Sequence, residues 1–90
     1  SAAYSQLKLI LKQANMLKQE AQQIIDEALL NENLHNVDCR FKKISGKTYH
    51  LYEKENGQKY FSMLSPNEWN NKDKFINSYY YDFDKTFNIV

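Results

Sequence analysis

Ninety residues make one domain at most, with a thin core, and a single cysteine excludes an internal disulfide. The formal net charge of +1, from 12 Lys and Arg against 11 Asp and Glu, argues against non-specific nucleic-acid binding, which needs many uncompensated cations. No apolar run approaches the ~18 residues of a membrane span and no signal peptide is visible, so an intracellular protein, cytoplasmic or nuclear, is expected. The first residue is Ser1, not Met, which leaves open whether a targeting segment precedes it.

From about residue 5 to 36 there is no Pro and no Gly, and apolar residues recur at a spacing of three and four: Leu7, Ile10, Ala14, Leu17, Ala21, Ile24 and Ala28. The spacing predicts a long helix with a coiled-coil seam. One set of heptad positions (Leu7, Ala14, Ala21, Ala28) is mostly small, which lets a partner helix approach closely. Lys8, Lys12 and Lys18 lie in the N-terminal half, and Glu20, Asp26, Glu27 and Glu32 in the C-terminal half. That polarity opposes the helix macrodipole at a cost of about 0.3–1 kcal/mol per exposed charge. An antiparallel second copy would set the basic half against the acidic half. The expectation is an antiparallel homodimer through this helix, the alternative cover being the protein's own sheet.

Ser45-Gly46 and Asn56-Gly57 are turn signals that divide the middle third into runs of about 38–44, 47–54 and 58–64. Read as two-residue hairpin loops, they predict a three-stranded antiparallel meander with Tyr52 facing Phe61 and His50 facing Met63 and Phe41. One face would then carry Cys39, Phe41, Thr48, His50, Tyr52, Phe61 and Met63 and receive the helix. The other would carry Arg40, Lys42, Tyr49, Leu51, Tyr60 and Leu64. Strands of six or seven residues span only about 20–23 Å, and the helix about twice that, so half the helix needs further cover.

Ser65-Pro66-Asn67-Glu68 reads as a capping box opening a short helix, with Leu64 and Trp69 as a hydrophobic staple. Beyond it, the spacing of Ile76, Tyr79, Tyr80, Phe83 and Phe87 suits a helix and the tyrosine-rich composition suits a strand. This segment is expected to pack on the domain and end as a frayed tail, completing a single domain over 1–90 of α+β class.

Leu34-His35, Cys39 with Phe41, Gly46, Tyr49-His50-Leu51-Tyr52, Gly57-Gln58, the run from Tyr60 to Pro66, and Glu68-Trp69 together resemble a small uncharacterised family, domain of unknown function 2452. The resemblance continues through Phe75-Ile76, Ser78-Tyr79 and Asp84. It implies one module and no established activity. Members carry Gly where this chain has Asn77, which implies a turn there, since Asn is the next-best residue for a left-handed backbone.

Two constellations compete for a site. His50, Cys39 and His35 could bind a metal or ligand, or His50 could activate the Cys39 thiol. Their spacing matches no standard zinc pattern and lacks a fourth ligand. The competing reading buries Cys39 as a small apolar group, makes His50 structural and has His35 cap the helix's carboxyl end. Arg40, Lys42, Tyr49 and Tyr60 on one sheet face faintly suggest a single-stranded RNA platform without a matching motif. Tyr49, Leu51, Tyr60 and Trp69 could also add to the helix seam as a protein-docking surface. The reading that best fits is a non-enzymatic interaction or scaffolding module without a cofactor, its partner a second copy or another protein, with no membrane partner.

Overall fold

The structure, a computed structural model, describes residues 1–90, and its first element is a single helix, α1 (Ala2–His35). The chain divides into two compact units, Ser1–Glu32 and Asn33–Val90. Every residue from Ser1 to Leu30 is exposed, so the whole seam lies open. The helix contributes only its last turn to the core, through Leu34. No helix is long and apolar enough to cross a membrane.

The second unit is built on a four-stranded antiparallel sheet of order β2-β1-β3-β4: β1 (Lys47–Glu53), β2 (Lys59–Ser62), β3 (Lys74–Tyr81) and β4 (Phe87–Ile89). This corrects the three-stranded meander in three places. The run expected as a first strand over 38–44 keeps its alternation, with Val37, Cys39 and Phe41 packed against the core, but makes only one strand-like pairing, a parallel bridge from Asp38 to Tyr60. Gly46 is not a hairpin turn between two strands. At φ 90° it leads into β1, with its N–H donating to the Tyr81 carbonyl at 2.7 Å. The tyrosine-rich tail is β3, an inner strand paired with β1, and the last residues form β4 instead of fraying.

The β1–β2 register differs by one residue from the expected one, and the loop explains why. Lys54 N–H donates to the Gln58 carbonyl and Gly57 N–H to the Lys54 carbonyl, both at 2.9 Å. The loop is therefore three residues, Glu55-Asn56-Gly57, with Gly57 in the left-handed region at φ 87°. A two-residue type I′ turn would need positive φ at Asn56 as well, which it does not have. Tyr52 consequently pairs with Tyr60, Leu51 with Phe61 and His50 with Ser62. A one-residue slip moves every side chain of β2 to the other face. The buried core holds Tyr49, Leu51 and Phe61 with Tyr79, Tyr81, Phe87 and Leu34, so the face expected to be mixed is the core. The β3–β4 loop repeats the design with Lys85 as its left-handed residue at φ 65°.

Half of the capping box at Ser65 forms, without a helix. Ser65 N–H donates to Glu68 Oε1 and Glu68 N–H to the Ser65 carbonyl, both at 3.0 Å, and the chain then leaves after a single turn. Asn71 competes with helix continuation, because its side-chain oxygen accepts the Asp73 N–H at 3.1 Å. Trp69 is held from the sheet side: its indole N–H donates to Tyr52 Oη at 2.9 Å, and the Tyr52 hydroxyl donates to the Leu64 carbonyl at 2.8 Å. Asn77 is not a turn. It lies in β3 with no positive φ, beside a bulge that leaves Ile76 without a partner in β1.

Candidate functional site

The strand alternation separates the three residues proposed as a ligand set. His50 lies on the face of β1 opposite Tyr49 and Leu51. Cys39 packs against the core on the other face, its thiol donating to the Phe41 carbonyl at 3.1 Å. His35 sits over that same core, edge-on to Phe87 at 4.9 Å, with Nε2 donating to the Lys85 carbonyl at 2.8 Å. No three His, Cys, Asp or Glu side chains converge on one point. His50 does not meet Phe41 or Met63. Its Nδ1 lies 2.7 Å from Ser78 Oγ, the residue opposite it in β3. Partial burial lowers the His50 pKa below its ordinary value, against an opposing pull from the Glu68 carboxylate. Glu68 itself is held low mainly by its hydrogen bonds from Ser65.

The expected RNA platform is split in the same way. Tyr49 is 2 % exposed, on the core face, and Leu51 is buried beside it, so neither belongs to a surface. Tyr60 stands on the opposite face, stacked on Tyr52 at 5.7 Å. It lines a cleft of ≈ 380 Å³ with Trp69, Asp38, Arg40, Lys54 and Asp73. The Tyr60 hydroxyl donates to Asp73 Oδ2 at 2.6 Å and accepts from Asn71 Nδ2 at 2.8 Å. Burial, and then the Asp73 hydrogen bond, raise its pKa. Lys54 Nζ already sits 5.7 Å from the Tyr60 ring centroid, so the aromatic floor has a cation of its own. The cleft carries two acids and two bases and favours neither charge.

The helix offers the larger feature. Leu7, Ile10, Leu17 and Ile24 are 53 %, 58 %, 65 % and 67 % exposed, in line with Ala14, Ala21 and Ala28. Leu11, Ile25 and Leu29 broaden the open stripe.

The sequence profile of a family described as a protein of unknown function, DUF2452, matches residues 1–90. The chain belongs to this family. A relative in Caenorhabditis elegans, described only as an uncharacterised protein, is 39 % identical over 92 residues, covering 98 % of this chain and 50 % of its own length. The chain thus spans about half the length of that curated relative. No solved structure matches it significantly. In this DUF2452 chain, two partners escaped sequence reasoning: Ser78, which meets His50, and Asp73, which meets Tyr60. Placing β3 beside β1 would have found Ser78. Asp73 lies in a loop without a repeating pattern and leaves no such signal.

Proposed function

We propose that this DUF2452 chain is a non-enzymatic protein-interaction module that self-associates through α1, pairing with an antiparallel second copy. The observation that carries the reading is the exposure of every residue from Ser1 to Leu30, including a regular apolar seam. In proteins most helical stability comes from packing an apolar face. Each Leu or Ile of the seam gains roughly 1.5–3 kcal/mol when fully buried. The charge distribution favours an antiparallel copy as the occupant. Residues 1–19 hold three Lys and no acid, and residues 20–35 hold four acids and no Lys or Arg.

Solution mass by light scattering tests the reading. A dimer across micromolar concentrations, converted to monomer by Ala14→Glu with Ala21→Glu, is expected. A clean monomer insensitive to those substitutions removes self-association from the account.

A further inference from the structure

Resting on that reading, we infer that the two copies of α1 pair about a two-fold axis beside residue 19, in the one register that sets a large seam residue against an alanine in every layer from Ile10 to Ala28. In an antiparallel coiled coil the two apolar heptad positions of one helix meet each other's counterparts on the partner. Here one position carries Ala14, Ala21 and Ala28, and the other carries Ile10, Leu17 and Ile24, all of them exposed. Reflecting the seam about residue 19 sets Ile10 on Ala28, Ala14 on Ile24 and Leu17 on Ala21. Each layer occurs twice by symmetry. Close packing rewards this matching of large against small, because uniform layers leave neither voids nor overlaps.

Other arrangements lose it. A parallel pair stacks alanine on alanine at 14, 21 and 28 and large on large at 10, 17 and 24, so thin and wide layers alternate along the axis. Moving the axis half a heptad toward the N-terminus sets Leu7 against Ile24 and Ala3 against Ala28. Moving it equally toward the C-terminus sets Ala14 against Asn31 and keeps only two of the three kinds of large-on-alanine layer, Leu17 on Ala28 and Ala21 on Ile24. The chosen register also brings Leu11 beside Ile25 of the second copy on one flank, which covers the broadened part of the stripe. It has two costs: Leu7 meets Asn31 of the second copy at each end, and Lys18 and Glu20, which flank the axis, each approach their own symmetry mates. Along the rest of the helix the half with three Lys lies against the half with four acids of the second copy.

Disulfide trapping tests the register. Cys39 is the single native cysteine, so each variant is made in a Cys39→Ser background and its fold checked by circular dichroism. Ile10→Cys protein mixed with Ala28→Cys protein should give a mixed disulfide dimer under mild oxidation, and each variant alone should stay uncrosslinked. Self-crosslinking of Ile10→Cys would overturn the antiparallel register while leaving self-association intact. Preferential trapping of Ile10→Cys by Ala21→Cys would move the axis and overturn this register alone. A monomer by light scattering in the Cys39→Ser background, with no trapping in any mixture, would remove both the register and the self-association beneath it.

Discussion

His50 illustrates how a residue's role follows from its neighbours instead of its type. Partial burial disfavours its charged form, and the Ser78 hydroxyl 2.7 Å from Nδ1 gives the neutral ring a partner. Its folded pKa is therefore below its unfolded value, and the fold binds the proton less well than the open chain does. By linkage, the stabilising contribution is fully present above the unfolded pKa, about 6.5, and is lost as pH falls through the lowered folded value. Thermal unfolding between pH 7.5 and 5 should show a loss of stability on the acid side. A His50→Gln variant should flatten that slope, because glutamine has no charge to acquire. An unchanged slope in the variant would assign the acid sensitivity to other groups. The single cysteine has a structural setting too: its thiol donates to the Phe41 carbonyl and it packs against the core.

At the scale of elements, the hairpin loop decides which side chains become the core. Three loop residues, with Gly57 as the left-handed one, give a partner pairing of Tyr52 with Tyr60. Gly57→Ala meets no steric obstacle, so its cost should be the backbone alone, roughly 1 kcal/mol, read from a denaturant midpoint. Deleting Glu55 should be gentler. It leaves Asn56-Gly57 as a two-residue loop between Lys54 and Gln58, which are already hydrogen-bonded, and so preserves every pairing of β1 with β2. A core that scrambles on deletion would show that the loop does not set the register. The same comparison shows what was legible in the sequence. Helix α1 and the β1–β2 hairpin announce themselves through periodicity and through Asn-Gly. The loop length does not, because Asn-Gly serves both two-residue and three-residue turns, and one residue inverts the faces. The helix expected after Ser65 fails for a different reason. Its Glu68 capping hydrogen bond forms, but Trp69 and Asn71 find better partners in Tyr52 and in Tyr60 with Asp73. Strand β3 carried two periodicities at once, and only its pairing with β1 selects the strand.

For the whole molecule, the burial pattern separates what the chain completes alone from what it leaves unfinished. The unit from Asn33 to Val90 closes its own aromatic core, in which Phe87 stacks on Phe61 at 5.2 Å and no buried side-chain polar atom lacks a partner. The unit from Ser1 to Glu32 contains no buried residue, with apolar side chains exposed along its length. Two such units should respond differently to dilution. Anything that binds the folded helix shifts its stability by mass action, whereas a self-contained core is indifferent to concentration. Helicity at 222 nm should therefore fall as the protein is diluted from high to low micromolar. The near-ultraviolet signal of the aromatic sheet, which includes Trp69 against Tyr52, should hold steady over the same range. The Ala14→Glu and Ala21→Glu double variant should show the low-helicity state at all concentrations, because each substitution places a charge in the seam without touching the sheet's core. Equal loss of both signals on dilution would mean that the sheet depends on the helix pairing. Constant helicity in both proteins would mean that α1 stands without a partner.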